Sequence, residues 1–269
     1  MNIISEVERK ARINHARIGL GIGQVSERLI KSAEDAREYA EVVLVGNEEQ
    51  IKTAGTDLEI IHSTEPSKKL IQLLADGEID GAVRGTLSAT KTLSILKSTF
   101  DMEKLYRVSL LETAQGMPFF LAPVGIDEGS SAADKVELIK RGVECISRLG
   151  IEAKVGILSG GRFEDKGRDE RVDRTLEEAE IVTKKAREMG INATNYSILI
   201  EDAVREANFI VAPDGISGNL IFRTLVFLGC GHGYGAPVLM DKVFVDTSRV
   251  KEDSSRAIML ASALKRPDT

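Results

Sequence analysis

The chain has 269 residues, 42% hydrophobic and 29% charged, which is enough for one large or two ordinary α/β domains with a real core. A net charge of −6 without a basic cluster argues against nucleic acid as a partner, and no apolar run is long enough to span a membrane. Two cysteines and the lack of a signal pattern in residues 1–10 predict a cytoplasmic protein. Three widely separated histidines argue against a metal site.

Short apolar strands alternate with helical segments in the first part of the chain, which predicts a parallel α/β sheet. The predicted strands are 17–21, 42–46, 58–62 and 79–85, and the predicted helices are 25–40, 66–76 and 88–98. Two apolar stretches at 106–111 and 117–123 have no helix between them. We expect them to be antiparallel neighbours.

A second unit is predicted to begin near Gly125. It contains the helices 130–149, 170–189 and 217–228 and the strands 155–159 and 208–212, and the final strands with a helix at 253–264 return to the first unit. We therefore predict one domain made of residues 1–124 and 237–269, and an inserted domain of residues 125–236. Because no linker separates them, we expect the two α/β domains to share a cleft.

The glycines of the turn after the first strand (Gly19, Gly21 and Gly23) partly match a dinucleotide-binding loop. The third glycine of that motif falls at Gln24, and the next strand ends in Gly46-Asn47 without the acid that would hold a ribose. A tight turn is therefore favoured over a nucleotide or S-adenosylmethionine site.

Two strand ends carry polar groups where an open parallel sheet binds ligands. Arg84, Thr86 and Ser88 supply a charge and two hydroxyls near a helix N-terminus, and the alternative is a capped helix with a surface arginine. Ser159 and Gly160 occupy the equivalent place in the second unit. We predict all five as substrate-binding residues.

The stretch from Pro213 to Asn219 is predicted to be a turn that opens a helix, with Ser217 as its cap. Its small residues would let a backbone approach a ligand closely. Asp246-Thr247-Ser248-Arg249 places a hydroxyl beside a cation at the end of another strand, as a phosphoryl- or acyl-handling enzyme needs. Asp253 is a general base or a partner of the helix dipole.

The Gly229–Gly235 segment carries Cys230 and His232, which suggest a nucleophile and its base. Adjacent side chains on a glycine-rich strand are the favoured interpretation. Cys145 lies on an apolar helix face and is predicted to belong to the core.

Over its whole length the chain resembles the phosphotransacylases, the phosphate acetyl- and butyryltransferases. The matching motifs are Leu44-Val45-Gly46-Asn47-Glu48-Glu49, Asp80-Gly81-Ala82-Val83-Arg84-Gly85, Ile157-Leu158-Ser159, Pro213-Asp214 with Gly218-Asn219, Tyr234-Gly235-Ala236-Pro237 and Asp246-Thr247-Ser248-Arg249. The resemblance implies the isocitrate/isopropylmalate dehydrogenase-like fold, two α/β domains with a cleft between them, and a homodimer.

The resemblance also implies roles for the residues of that cleft. Arg249 would stabilise the acyl-phosphate transition state, Ser248 would help to hold the thiol of coenzyme A, and an aspartate would take the proton of the thiol. From their places at strand ends and at the start of a helix, we predict Asp214, Ser217, Gly218, Asn219 and Asp246 as substrate-binding residues of the cleft. No cofactor would be bound permanently, and coenzyme A would be a substrate.

The chain departs from the family pattern in two places. The family's acid, five or six residues after the arginine, falls at Ser254 and Ser255, and Asp253 stands one place early. A coenzyme-binding arginine two turns after Gly218-Asn219 is replaced by the apolar run 225–228. In these departures the chain resembles a diverged, methyltransferase-related branch of the family from methanogenic archaea.

We therefore expect a phosphotransacylase-like transferase acting on an anionic phosphate- or thiol-bearing small molecule. The alternative is a non-catalytic protein of methanogenesis that associates with methyltransferase subunits. A methyltransferase that uses S-adenosylmethionine is a third interpretation.

Overall fold

The computed structural model describes residues 2–247 and 253–266. The chain forms two compact units, each with its own sheet. Unit 1 consists of residues 1–105 and 234–269, and unit 2 of residues 106–233. The chain thus leaves unit 1, builds unit 2 and returns.

Helices and strands alternate through most of the described chain. The helices are α1 (Ile3–Asn14), α2 (Glu27–Asp35), α3 (Glu48–Lys52), α4 (Pro66–Asp76), α5 (Ala89–Thr99), α6 (Ala132–Arg148), α7 (Glu170–Glu188), α8 (Ile200–Glu206), α9 (Gly215–Arg223) and α10 (Ser255–Ala263). The strands are β1 (Arg17–Gly21), β2 (Glu41–Gly46), β3 (Glu59–His62), β4 (Gly81–Val83), β5 (Ser109–Glu112), β6 (Pro118–Ala122), β7 (Val155–Ile157), β8 (Ala193–Asn195), β9 (Phe209–Val211), β10 (His232–Gly233), β11 (Ala236–Pro237) and β12 (Val243–Asp246).

The sheet of unit 1 has the order β11-β12-β4-β1-β2-β3, and only β11 is antiparallel to its neighbour. Its strands β2, β4 and β12 are apolar and buried except for exposed Glu41 at the start of β2 and buried Asp246 at the end of β12. Near-continuous apolar runs of this kind are typical of parallel sheets that helices cover on both faces. The chain moves from β1 to one side through β2 and β3, and then resumes with β4 on the other side. The strand order therefore reverses between β1 and β4, which is where open α/β sheets bind ligands.

The sheet of unit 2 has the order β10-β5-β6-β9-β7-β8. β5 and β6 are antiparallel neighbours as predicted, but β6 also pairs in parallel with β9, with Phe120 opposite Phe209. Both strands therefore belong to unit 2. The first boundary lies at 105/106 rather than at 124/125, and the chain returns at 233/234 rather than at 236/237.

The α/β fold class is confirmed, and α4 and β1 have the predicted bounds. Helix α1 was not predicted, and it packs on α10 in unit 1. Buried Ser262 of α10 joins the two helices, because its hydroxyl donates to Ala11 O at 3.2 Å and accepts from Ala16 N at 3.1 Å. Cys145 is a core residue of α6, as expected, and burial raises the pKa of its thiol to about 11.

A buried ion pair lies at the start of β5 in unit 2. Arg107 Nε donates to Glu128 Oε1 at 2.6 Å, and the Glu128 carboxylate is almost fully buried. Burial raises the pKa of Glu128, and the nearby Arg107 opposes this rise. Removing the arginine would leave a buried carboxylate uncompensated, which costs about 3–5 kcal/mol in proteins.

We expect Arg107→Met to lower the free energy of unfolding by about 3–5 kcal/mol at pH 8 and by less at pH 5. Without the arginine the pKa of Glu128 rises further above its unfolded value, so stability is lost as pH rises through that pKa. Urea unfolding at both pH values measures this. Arg205→Met, which breaks an exposed pair with Asp202, is the control. Equal losses at both pH values would contradict the prediction.

Candidate functional site

Side-chain hydrogen bonds join the carboxyl ends of β4 and β12 at one edge of the sheet of unit 1. Arg84 follows β4, and its Nε donates to Asp246 Oδ1 at the end of β12, at 2.5 Å. Thr247 Oγ1 donates to Gly85 O at 3.1 Å. The structure therefore brings together three of the predicted stretches: 84–86, 246–247 and the turn after β1.

Arg84 is buried, and a second nitrogen of its guanidinium, Nη1, donates to Leu87 O at 2.5 Å. A buried charge persists in a protein only when it is paired and hydrogen-bonded, and Arg84 meets both conditions within unit 1. The arginine therefore braces the strand ends. Its direct contact with an anion stays a prediction.

Thr86 closes the glycine turn that follows β1. Its hydroxyl accepts from the backbone N–H groups of Gly23 and Gln24, at 2.9 and 3.0 Å, and donates to Gln24 O at 3.0 Å. A phosphate-binding loop would need those N–H groups for its ligand. The contacts support the tight-turn interpretation of the glycines. They place Thr86 at the reversal point between β1 and β4.

Two further predicted residues begin helices of unit 1. Ser88 caps α5 and accepts from Lys91 N at 3.5 Å. Asp253 precedes α10, and its Oδ1 accepts from the backbone N and the hydroxyl of Ser255, at 3.0 and 2.6 Å. Ser254 is the N-cap of α10 and Asp253 lies one residue before it. This position beside the first turn fits the alternative of a partner of the helix dipole, and the role of Asp253 as a base stays a prediction.

Ser248 and Arg249, the residues predicted to carry the chemistry, lie outside the described residues. The preceding described residue is Thr247, which is held on Gly85. Their catalytic roles stay predictions.

The predicted residues after β7 in unit 2 hold a loop on α7. Ser159 is buried, and its hydroxyl donates to Gly161 O at 3.0 Å. Gly160 N donates to Thr175 Oγ1 at 2.8 Å. These bonds hold residues 159–161 beside α7, and contact of Ser159 or Gly160 with substrate stays a prediction.

The helix predicted from Ser217 begins two residues earlier. Asp214, not Ser217, is its N-cap, and Asp214 Oδ1 accepts from Ser217 N at 2.7 Å. Aspartate and serine are equally good caps, so the sequence alone leaves the choice open. After Arg223 the helix widens into a π turn over 224–228, where Gly229 N bonds to Thr224 O at 2.9 Å.

The small residues of α9 meet the protein's own chain. A Cβ on Gly218 would lie 1.9 Å from Pro123 O, and a Cβ on Gly215 would lie 1.7 Å from Gly125 O. Asn219 Nδ2 donates to Val124 O at 2.8 Å. The loop 123–129 therefore occupies the space where close approach of a ligand was expected. The glycines at 125 and 129 are the one hint of this contact in the sequence.

Cys230 and His232 follow the π turn. Cys230 is exposed and has a positive φ of 54°, and His232 lies in β10 opposite Glu112. In residues 2–247 and 253–266, no three His, Cys, Asp or Glu side chains come together in a way that would hold a metal ion. No helix of that part of the chain is both long and apolar enough to cross a membrane.

We expect Gly218→Ala to destabilise the protein by about 3 kcal/mol, because the added methyl group would clash with a backbone carbonyl rather than with a movable side chain. Gly233→Ala is the matched control, since its Cβ would make an ordinary 3.4 Å contact with Phe222. Thermal unfolding of both variants measures the difference. Similar melting temperatures of the two variants would contradict the prediction and show that the loop 123–129 shifts at little cost in free energy.

Known proteins resemble the chain in sequence and in fold. No protein-family model matches the chain. A Methanosarcina mazei protein named "Putative methyltransferase mtx subunit X" is 55% identical over 265 residues, covering 97% of this chain and 95% of that protein.

Among solved structures, a branched-chain phosphotransacylase from Enterococcus faecalis superposes with a TM-score of 0.72 at 18% identity. The match covers 93% of this chain and 98% of that one. A 4-hydroxythreonine-4-phosphate dehydrogenase from Klebsiella pneumoniae gives a TM-score of 0.64 at 12% identity, covering 93% and 100%. Identities this low establish the fold alone, and that fold is the one expected from the motifs. The 55% identity over nearly the whole length shows more: the chain belongs to the family of the mtx subunit X proteins.

Proposed function

We propose that this protein is a phosphotransacylase-like transferase that binds an anionic, phosphate- or thiol-bearing small molecule, with coenzyme A as a candidate substrate. One observation carries the proposal. The ends of β4 and β12 are joined by the buried Arg84–Asp246 pair, beside the point where the strand order of unit 1 reverses. In the sequence, the Ser248-Arg249 pair follows the end of β12 after one residue, Thr247.

Each proposed role follows from the chemistry of the side chain. Arg249 holds the anion, because a guanidinium forms paired hydrogen bonds with phosphate oxygens. Ser248 positions the nucleophile, and Asp253 accepts its proton. Arg84 and Asp246 support the site by fixing the strands from which it extends. The unit 2 residues Ser159, Gly160, Asp214, Ser217, Gly218 and Asn219 stay predicted substrate contacts.

We expect wild-type protein to bind coenzyme A in a calorimetric titration and Arg249→Ala to weaken that binding about 10- to 150-fold. A charged hydrogen bond to phosphate contributes about 1.5–3 kcal/mol. Lys242→Ala, which removes an exposed cation seven positions earlier, is the control. A screen of acyl phosphates for acyl-coenzyme A formation follows. Equal affinity in Arg249→Ala and wild type would remove Arg249 from the site.

A second candidate function is a partner of methyltransferase subunits without transfer chemistry of its own. The name of the 55% identical relative includes the word "subunit", and the stretch matching the family's acid carries Ser254 and Ser255. Purification of the tagged protein from a native methanogen extract tests this function. Recovery of methyltransferase subunits, together with absent binding of coenzyme A, would favour it over the transferase.

We further propose that the protein is a homodimer that pairs through an apolar face of unit 2, the α9 face. This face consists of Ile216 and Leu220 on α9, Leu228 after it and Ile126 on the loop 123–129. All four side chains are 60–79% exposed. The loop belongs to the face because Gly215 N bonds to Glu128 O at 3.1 Å. Such a group of exposed apolar side chains marks an interaction surface.

The charges around the α9 face favour a second copy of the chain as its occupant. Asp214 and exposed Asp127 lie at the amino end of α9, and exposed Arg223 lies at its carboxyl end, about 13 Å along the helix from Asp214. In an antiparallel two-fold pairing centred near Gly218, each acidic end meets the basic end of the other copy. Ile216 of each copy then faces Leu220 of the other.

We expect wild-type protein to sediment as a dimer and Leu220→Arg to sediment as a monomer, because the substitution places like charges at the centre of the pair. Ile181→Arg adds the same charge to an exposed apolar site on α7 and should leave the dimer intact. Sedimentation velocity at micromolar concentration measures both. A monomeric wild type, or a dimeric Leu220→Arg, would contradict the α9 face as the interface.

A further inference from the structure

A groove of about 650 Å³ lies on unit 2, between the second half of α7 and the edge strand β8. This α7–β8 groove is large enough for a small organic ligand. Its lining includes an aromatic ring, cations, carboxylates and an amide, from Phe163, Glu180, Lys184, Arg187, Glu188 and Asn195.

Phe163 provides an aromatic surface at the groove. It is 51% exposed, although a phenylalanine without a packing partner on one side is costly in water. The loop that precedes it is held on α7 by the hydrogen bond from Gly160 N to Thr175 Oγ1. A half-exposed ring on a held loop offers a face on which a planar ring stacks.

Lys184 and Arg187 are cations without an acidic partner. They lie three residues apart on α7, and neither forms an ion pair with any residue of the described chain. Arg187 Nε donates to Ala193 O on β8 at 2.8 Å, which anchors the guanidinium at the sheet edge. Its two terminal nitrogens have no partner among the described residues. This arrangement suits a phosphate.

The remaining polar groups match the other parts of a phosphorylated nucleoside. Glu180 and Glu188 lie one turn before and one turn after Lys184, and carboxylates accept hydrogen bonds from ribose hydroxyls. Asn195 Oδ1 accepts from Ser197 N at 2.9 Å, so its amide is held in place and can donate through its nitrogen. If the groove bound inorganic phosphate alone, the ring of Phe163 and the carboxylates of Glu180 and Glu188 would make no contact that the ligand needs.

We propose that the α7–β8 groove binds a nucleotide, with its base stacked on Phe163, its phosphate on Lys184 and Arg187, and its ribose near the glutamates. The inference goes beyond the transferase proposal, and it shares no residue with Ser248, Arg249 or Asp253. It concerns the groups that adenine nucleotides and coenzyme A have in common, and the test separates these sources.

The test is calorimetric titration of the full chain with ADP, coenzyme A, S-adenosylmethionine and pyrophosphate. We expect ADP to bind, pyrophosphate to bind more weakly without a ring, and S-adenosylmethionine to bind more weakly without a phosphate. Phe163→Leu removes the ring and should weaken ADP at least about fivefold, whereas Phe163→Tyr should retain the affinity. Lys184→Ala should weaken ADP severalfold. Lys185→Ala removes a neighbouring cation outside the groove lining and should leave the affinity unchanged.

If Phe163→Leu weakens the binding of coenzyme A as strongly as the binding of ADP, coenzyme A is a source of the nucleotide. If Phe163→Leu weakens the binding of ADP but not that of coenzyme A, the ligand of the groove is a free nucleotide. Absence of ADP binding at millimolar concentration would overturn the inference. ADP binding insensitive to Phe163→Leu and Lys184→Ala would overturn it too, as would pyrophosphate or S-adenosylmethionine binding as tightly as ADP. Because Arg249→Ala leaves the groove intact, unchanged ADP binding in that variant separates this inference from the transferase proposal.

Discussion

The arrangement of the strand ends in unit 1 depends on the buried ion pair between Arg84 and Asp246. These residues are 162 positions apart, and all of unit 2 lies between them in the sequence. Burying both charges is favourable only if the pair is close and its other hydrogen bonds are made. Arg84 meets this condition through Leu87 O and Asp246 through Thr247 N. The pair therefore fixes where the returning strand β12 ends, and with it the point from which the Ser248-Arg249 segment starts.

In unit 2 the main constraint is a different one, the close approach of the backbone of α9 to the backbone of the loop 123–129. α9 lies so close to the loop 123–129 that neither Gly215 nor Gly218 has room for a side chain, and Asn219 closes the contact. The Pro-Asp-x-x-x-Gly-Asn motif thus has a structural role that needs no ligand. A match to this motif is consequently stronger evidence for the fold than for transfer chemistry, because the packing alone demands the same residues.

The parts of the fold that local pattern determines could be predicted from the sequence. α4 has a helical apolar stripe after Pro66, and β1 is a short apolar run ending in glycine, so both bounds agree with the structure. The long-range parts could not be predicted. The boundary at 105/106 depends on pairing between β6 and β9, which are separated by 86 residues from Ala122 to Phe209. The α7–β8 groove combines Phe163 with residues 180–195 and has no sequence motif.

The fold alone does not choose a chemistry, since a phosphotransacylase and a phosphate-ester dehydrogenase superpose on this chain over more than nine-tenths of its length. The choice depends on a few side chains near the start of α10. There Ser254 N is bound to Ser32 Oγ, and Asp253 accepts two hydrogen bonds from Ser255. Both serines at the place of the family's acid therefore serve to begin a helix. For the proposed transferase, the proton acceptor would therefore be a carboxylate that already holds the first residue of α10, so transfer would rest more on the charge of Arg249 than on a free protein base.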